Sequence, residues 1–228
     1  MIVQQFVLTA FQQNTRVVAC EQTRKAICID PGESSQELES YIRDNDLSLQ
    51  AIALTHAHLD HIGGTSALKN AFPAADVIIH KEDEEMYRAL PSQPLMLGIG
   101  RDQFAALGFD YDDPPAVSRY WQDGETYEVG SLRFSVRHCP GHTRGHVVLA
   151  EENEKRVFVG DCLFAGSIGR TDLPGGNYEQ LIDSINRQIL SLPDDVVVYS
   201  GHGPETTVGR ERTTNPFLTG AYQIGKDR

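Results

Sequence analysis

The sequence predicts an α/β fold, on the evidence of two patterns and of its composition. Short apolar runs of strand length alternate along the 228 residues with amphipathic stretches of helical period. Hydrophobic residues make up 40% and charged residues 23% of the chain, a balance typical of globular proteins that bury a core. Because no internal repeat or convincing linker divides the chain, we expect one domain over residues 1–228.

The first part of the chain predicts a strand meander that leads into alternating helices and strands. Pro31-Gly32 ends the meander, and Ser34 or Ser35 is suited to cap the first helix. The predicted strands cover residues 2–8, 14–20, 25–30, 51–54 and 77–80, and the predicted helices cover 34–45, 61–71 and 82–90.

The second part begins with residues 91–115, where prolines and other breakers predict a loop-rich insertion beside a pocket. A hairpin with its turn at Gly130-Ser131 follows, and Leu181, Ile185 and Ile189 mark the inner face of a helix over 177–190. The predicted strands cover residues 125–129, 132–137, 147–150, 157–159 and 196–199.

The net charge and the opening residues indicate which partners and which compartment to expect. The net charge is −12, from 32 acidic against 20 basic residues, so we expect no nucleic-acid partner. The opening MIVQQFVLTA lacks a basic start, and no apolar run reaches membrane-spanning length, so we expect a cytoplasmic protein without a membrane partner. Four cysteines without C-x-x-C spacing predict reduced, buried thiols.

Six of the eight histidines follow predicted strands, where a sheet displays functional groups. The loop THAHLDH, residues 55–61, contains the pattern H-x-H-x-D-H, which is too dense to be expected by chance. Two aspartates join these histidines: Asp60 lies inside the first histidine cluster, and Asp161 follows the predicted strand at 157–159. The candidate residues are His56, His58, Asp60, His61, His142, His146, Asp161 and His202.

Imidazole nitrogens and carboxylate oxygens are ligands that suit zinc, iron or manganese and leave the ion acidic enough to activate water. Two such ions can share one hydroxide, and an aspartate can bridge them. Gly141, Gly145, Gly160, Gly201 and Gly203 flank the candidates and let the backbone turn sharply. The pattern therefore predicts a hydrolase with two divalent metal ions. Zinc is the metal that we expect, with iron and manganese as alternatives.

The chain resembles the metallo-β-lactamase superfamily in THAHLDH, in PGHTRGH at 140–146, in Gly160-Asp161 and in Gly201-His202-Gly203. The resemblance implies an αβ/βα sandwich of two mixed sheets with helices outside. It also implies one metal on His56, His58 and His142, another on Asp60, His61 and His202, and Asp161 as bridge. Asp60 and Asp161 would then be the catalytic residues around a metal-bridging hydroxide, which attacks the substrate.

Within that superfamily, residues 160–176 and 199–217 are similar to the hydroxyacylglutathione hydrolases, or glyoxalase II enzymes, of the short bacterial YcbL type. This implies hydrolysis of a 2-hydroxyacyl thioester such as S-lactoylglutathione. Only a short tail follows His202, so we expect the chain to be without the C-terminal helical domain that helps longer members to hold glutathione, and the glutathione requirement stays open. Arg170, Asn177 and Arg144 are candidates to bind a substrate carboxylate, with structural roles as the alternative.

Other functions stay open at this point. Residues 169–172 also resemble persulfide dioxygenases, in which His56, His142 and Asp161 would hold a single iron. Hydrolases of lactones, β-lactams or phosphodiesters, and a non-enzymatic metal-binding protein, are further alternatives. A flavin-linked diiron domain would carry a glutamate where this chain has His58. The oligomeric state, the metal and the roles of Asp30 and Cys162 are open. Asp30 either orients a ligand histidine or stabilises its turn, and we expect Cys162 to fill the core.

Overall fold

The computed structural model describes residues 1–96, 100–107 and 113–221. Within these ranges the strands form two six-stranded sheets and one short two-stranded ribbon. The first sheet has the order β1-β2-β3-β4-β5-β6, with antiparallel pairing up to β3 and parallel pairing beyond it. Its strands are β1 Ile2–Leu8, β2 Gln13–Ala19, β3 Lys25–Ile29, β4 Ser48–Ala53, β5 Asp76–His80 and β6 Arg119–Trp121.

The second sheet is antiparallel except where two of its central strands run parallel. Its strands are β7 Thr126–Val129, β8 Leu132–His138, β9 Val147–Glu151, β10 Arg156–Gly160, β13 Val197–Ser200 and β14 Thr206–Thr207, and the ribbon consists of β11 Leu163–Phe164 and β12 Ser167–Ile168. The order is β14-β13-β10-β9-β8-β7, and β10 pairs with β13 in parallel.

Some of the helices begin at capping side chains that the sequence supplies. Ser35 Oγ accepts a hydrogen bond from Leu38 N at 3.2 Å, and Asn177 Oδ1 accepts one from Gln180 N at 2.9 Å. The described helices are α1 Gln36–Asp44, α2 Leu59–Ile62, α3 Thr65–Ala71, α4 Glu84–Arg88, α5 Gln93–Met96, α6 Arg101–Ala106, α7 Tyr178–Gln188 and α8 Val208–Thr214.

Three buried clusters define the layers. The central cluster lies between the sheets and brings side chains such as Ile27 and Trp121 of the first sheet against Phe134 and Phe158 of the second. A second cluster covers the outer face of the first sheet with α1, α3 and α4, and a third covers the outer face of the second sheet with α7 and α8. This is the αβ/βα sandwich predicted from the sequence.

The helix predicted over residues 61–71 is interrupted. Its two parts, α2 and α3, are separated at Gly63-Gly64, where Gly64 N donates to Pro31 O at 2.8 Å. A Cβ at Gly64 would lie 2.2 Å from Glu33 O, so the backbone contact that breaks the helix requires glycine. The helix predicted over 82–90 is likewise a 3-10 turn, Lys81–Asp83, followed by the shorter α4.

The insertion at residues 91–115 is more helical than predicted. It contains the end of a 3-10 turn, Leu90–Ser92, and helices α5 and α6, while residues 97–99 and 108–112 lie outside the described ranges. Strand β6 and helix α8 were not predicted, because each is short and lacks clear periodicity. No helix in the described part of the chain is long and apolar enough to cross a membrane.

Candidate metal site

Four loops bring the predicted metal-binding residues together. The segment after β4 carries His56 and His58 in a loop and Asp60 and His61 in α2, and the connection from β8 to β9 carries His142. Asp161 follows β10 and His202 follows β13. The strands end at a common edge of the sandwich, so side chains far apart in the sequence meet there.

The first group consists of His56, His58 and His142. Each offers one ring nitrogen, and these atoms lie within 4.8 Å of one another. The Nε2 atoms of all three are buried and have no hydrogen-bond partner among the described residues. A buried polar nitrogen without a partner is costly, and three that converge fit a bound cation. The donor set therefore fits a divalent metal ion.

The second group consists of Asp60, His61 and His202, whose donor atoms also lie within 4.8 Å of one another. Asp60 Oδ2 is 3.2 Å from His202 Nε2, which in turn is 3.4 Å from His61 Nε2. Two histidines and a carboxylate again form a mixed nitrogen and oxygen set, which suits zinc, iron or manganese.

Asp161 lies between the two groups. Its Oδ1 is 3.3 Å from His61 Nε2, and its Oδ2 is 3.8 Å from His142 Nε2 and 3.6 Å from His202 Nε2. The carboxylate therefore faces the second group with both oxygens and the first group with one. This position fits the bridging role that the family resemblance implies for Asp161, and that role stays a prediction.

Burial and charge divide the histidines into two kinds. Burial, with help from neighbouring histidines, lowers the pKa of His56 and lowers that of His58 to about 3. Burial also lowers the pKa of His142. These imidazoles are neutral near pH 7, the state in which a histidine binds metal.

The second group carries charge in the absence of metal. Burial opposes charge on His61, but Asp161 and Asp60 outweigh burial and raise its pKa. Burial likewise opposes charge on His202, yet its hydrogen bond to Asp60 and the charge of Asp161 raise its pKa. Burial disfavours the Asp161 carboxylate, while His61 and then His142 lower its pKa and keep it ionised.

Hydrogen bonds at the far ring nitrogens set the tautomers. His142 Nδ1 lies 2.8 Å from Arg170 O and His202 Nδ1 lies 3.0 Å from Phe11 O. A carbonyl only accepts, so both Nδ1–H groups donate and each Nε2 faces the cluster with its lone pair when the ring is neutral.

Asp30 orients His61 in a similar way. Its Oδ2 accepts from His61 Nδ1 at 3.0 Å and from Thr55 Oγ1 at 2.6 Å, and its Oδ1 accepts from Thr55 N at 2.7 Å. The structure thus gives Asp30 the contact with a cluster histidine that the sequence suggested. The same carboxylate also anchors the start of the THAHLDH loop.

Asp83 is a contributor that the sequence did not reveal. It is 1% exposed, and its Oδ2 accepts from Ala57 N at 3.1 Å and from Thr143 Oγ1 at 2.7 Å. Its Oδ1 accepts from Gly145 N at 2.6 Å. One carboxylate therefore joins the loop of His56 and His58 to the loop of His142. Asp83 stands in the acidic run Glu82-Asp83-Glu84-Glu85, which by itself suggests only a solvated helix start.

His146 is buried behind the cluster. Its ring stacks on His56 with centroids 4.8 Å apart, and its Nε2 accepts from Asp161 N at 3.1 Å. Its Nδ1 lies 3.2 Å from Cys162 Sγ, and that buried thiol donates to Cys139 O at 3.4 Å. Cys162 is fully covered and does not line the cavity, in agreement with a core role.

Two glycines are required beside the cluster. A Cβ at Gly201 would lie 2.1 Å from Asp161 Oδ1 and 2.7 Å from His61 Cε1. Gly160 has φ +49° and a Cβ there would lie 2.4 Å from Thr55 Oγ1. Even the smallest side chain would therefore displace the groups around the carboxylate.

A cavity of about 510 Å³ opens onto the cluster. Its walls are mainly apolar, and one arginine, Arg170, lies among the described residues that line it. The lining consists of Phe11, His58, Leu59, Asp60, Met86, Gln93, His142, Asp161, Phe164, Ser167, Ile168, Arg170, Leu173, Pro174 and His202. Such a pocket fits a small molecule with an apolar part and few polar groups.

The three candidate substrate contacts have different positions. Arg170 lines the cavity and forms two hydrogen bonds to Asp172, each 2.8 Å long. Asn177 and Arg144 do not line it. The Asn177 side chain caps α7, and Arg144 is exposed, so the expectation that these two bind substrate is not supported by their positions.

Comparison with known proteins gave matches over most of the chain. The family model of the metallo-beta-lactamase superfamily matches residues 8–202. The hydroxyacylglutathione hydrolase GloC of Haemophilus influenzae is 39% identical over 213 residues, which cover 92% of this chain and 95% of that protein.

Solved structures agree with this match. The BLEG-1 B3 metallo-beta-lactamase has a TM-score of 0.83 at 35% identity, covering 96% of this chain and 100% of that one. TTHA1623 in a di-iron-bound form has a TM-score of 0.82 at 36% identity, covering 95% of this chain and 100% of that one. ETHE1 from Myxococcus xanthus has a TM-score of 0.75 at 27% identity, covering 96% of this chain and 85% of that one.

Proposed function

The chain belongs to the metallo-beta-lactamase superfamily and is a metal-dependent hydrolase of that superfamily, and on this premise we propose that it hydrolyses 2-hydroxyacyl thioesters such as S-lactoylglutathione. The observation that carries the proposal is the position of Asp161 between two groups of metal-binding side chains on the wall of a mainly apolar cavity. The near full-length likeness to a hydroxyacylglutathione hydrolase supports the choice of substrate class.

We assign one divalent ion to His56, His58 and His142 and a second to Asp60, His61 and His202, with Asp161 shared. The unpartnered Nε2 atoms of the first group support the first assignment. Zinc is our proposed metal because it suits this ligand set and accepts a thiolate. Iron and manganese suit the same ligands, and a similar structure is described as di-iron-bound.

When bound, the ions would supply a water of lowered pKa as nucleophile and would polarise the acyl carbonyl. The chain's own residues prepare the site for that chemistry. Asp60 and Asp161 contribute the negative charge, and Asp30 fixes the ring of His61. The backbone carbonyls of Arg170 and Phe11 hold His142 and His202 with their Nε2 atoms towards the cluster.

The cavity supports a substrate with an apolar acyl or thiol portion and a carboxylate. Phe164, Ile168 and Leu173 line it next to Arg170. We propose that the Arg170 guanidinium pairs with a carboxylate of the thiol portion. Because Arg170 is more than half exposed and already pairs with Asp172, this contact would contribute modestly to binding.

Release of free thiol from S-lactoylglutathione by the metal-loaded protein tests the proposal, with metal content measured on the same samples. We expect turnover in the wild type and its loss in Asp161→Ala. We expect Arg170→Ala to raise KM with little change in kcat, and the exposed Arg144→Ala to serve as its matched control. Absence of thiol release from metal-replete wild type, or equal turnover in Asp161→Ala, would rule the thioesterase out.

The likeness to ETHE1 favours one second candidate, the persulfide dioxygenase named above with iron on His56, His142 and Asp161. One iron per chain together with oxygen uptake on glutathione persulfide would favour it. Two metal ions per chain without oxygen uptake would favour the hydrolase. A β-lactam and a lactone complete the substrate panel, because a B3 metallo-beta-lactamase is also similar in structure.

A further inference from the structure

We propose that His80, Glu82 and His138 form an additional site for a divalent transition-metal ion, separate from the cluster on which the proposed hydrolase activity depends. His80 ends β5 in the first sheet, and His138 ends β8 in the second. The site would therefore tie the two sheets together at their surface. None of its residues belongs to the cluster or lines the cavity described above.

The side chains already converge. The rings of His80 and His138 stack with centroids 4.2 Å apart and planes 17° apart. One nitrogen of each ring and one Glu82 oxygen lie within 4.8 Å of one another. Zinc takes nitrogen ligands at about 2.0–2.1 Å, so the donors must move closer to bind it. Glu82 is exposed, which leaves its carboxylate room to swing towards the rings.

The hydrogen bonding of His138 leaves a nitrogen available. Its Nε2 lies 2.8 Å from Arg144 O, and because a carbonyl only accepts, the ring donates its Nε2–H. In the neutral ring, Nδ1 then keeps a lone pair. Metal-binding histidines typically have such a carbonyl at the other nitrogen, which fixes the tautomer and the ring orientation.

His80 is held less firmly and is neutral near pH 7. Its one described hydrogen bond runs from Glu82 N to Nδ1 at 3.4 Å, so the ring can turn at little cost. Burial and the neighbouring His138 lower the pKa of His80, while Glu82 and Asp123 oppose that change. A neutral imidazole can bind a metal ion without first releasing a proton.

The surrounding charges favour a cation. Asp123 Oδ1 accepts a hydrogen bond from the backbone N of His138 at 2.8 Å, and the charge of this second carboxylate acts on His80. Lys81 is the nearest cation in sequence, and its Nζ contacts Glu84 and Tyr120 instead. Two histidines and one or two carboxylates form a donor set that suits zinc and related ions.

Equilibrium dialysis against Zn²⁺, followed by metal analysis, tests the proposal by comparing variants with the wild type. We expect the wild type to bind one Zn²⁺ per chain more than His80→Gln does. Glu82→Gln should lower the affinity for this additional ion roughly tenfold, which is a typical effect of a substitution in the surroundings of a bound metal. The exposed Glu85→Gln is the matched control and should bind as the wild type does.

Because the readout is a difference between variants, it does not depend on how many ions the cluster holds or on any hydrolase activity. Equal Zn²⁺ contents in the wild type and His80→Gln would overturn the proposal. If circular dichroism shows that His80→Gln does not fold, a second experiment tests the site, in which Cu²⁺ is added to the zinc-loaded wild type. Nitrogen hyperfine structure in its electron paramagnetic resonance spectrum that is lost in His138→Gln supports the site, and an unchanged spectrum overturns it.

Discussion

Replacement of Asp83 should separate the two loops that hold the first histidine group. Asp83→Ala would leave three buried donors, Ala57 N, Gly145 N and Thr143 Oγ1, without their acceptor. A buried donor without a partner costs about 1–3 kcal/mol. The Thr143 hydroxyl can rotate, so we expect the free energy of unfolding to fall by roughly 3–5 kcal/mol, near the low end of the sum.

Asp83→Asn makes the expectation sharper because it keeps the shape of the side chain. Its single oxygen can still accept from Ala57 N and Thr143 Oγ1, but its amide group would then face Gly145 N, and two donors would meet. Burial raises the pKa of Asp83, so loss of the buried charge offsets part of this cost. We expect the Asn variant to lose about 1–3 kcal/mol and to lie between the wild type and Asp83→Ala.

Urea unfolding of the metal-free proteins, monitored by circular dichroism, measures the order of stability of the wild type, Asp83→Asn and Asp83→Ala. Competition with a chelator measures how tightly each variant holds metal, and we expect a loss of roughly 10–100-fold for Asp83→Ala because the loops no longer hold their histidines in place. The exposed Glu85→Ala is the control. An Asn variant as stable as the wild type with unchanged metal affinity, or less stable than the Ala variant, would refute the reasoning.

Three further predictions concern the surroundings of the cluster. Gly201→Ala places a Cβ against Asp161 and should lower both the bound metal and the turnover. Gly203 has φ +71° but open space around it, so Gly203→Ala should lower the stability and retain the metal. Equal metal contents in the two variants would contradict this. His146→Ala removes the acceptor for Asp161 N and should lower metal affinity, with partial rescue in His146→Gln, as measured by chelator competition. Metal-free protein should lose stability from about pH 7 to 5, because the unfolded chain protonates its histidines near about pH 6.5. In the folded chain five histidines have lowered pKa values, so they lower the stability as the pH falls below that value; they are His56, His58, His80, His142 and His146. His61 and His202 have raised pKa values and therefore add stability as the pH falls, but they are fewer. A urea midpoint that rises on acidification would contradict the sign.

The candidate ligands were predictable because their chemistry is local to strand ends. The dense spacing in residues 55–61 marks the loop by itself, and the strand periodicity places Asp161 and His202 at comparable positions. The structure brings these residues together, while their roles as ligands stay a prediction. The layered fold followed from the alternation of strands and helices together with the family resemblance.

Other features depend on contacts that no local pattern contains. The role of Asp83 requires two loops that meet only in the folded chain, and the break at Gly64 requires the backbone of residue 33. Asn177 is near the motifs in sequence, but its side chain is used at the start of a helix. Proximity in sequence therefore did not place its side chain on the cavity wall, and its part in binding substrate stays a prediction.

The split origin of the cluster has a consequence for refolding. His56, His58, Asp60 and His61 are close together in any conformation, whereas His142 and His202 join them only when both sheets are in place. The unfolded chain can therefore hold a metal ion through the short segment, and this reduces the stability gained from metal in the native state. Refolding in a chelating buffer, with metal added afterwards, should avoid such premature chelates and give a higher recovery of native protein.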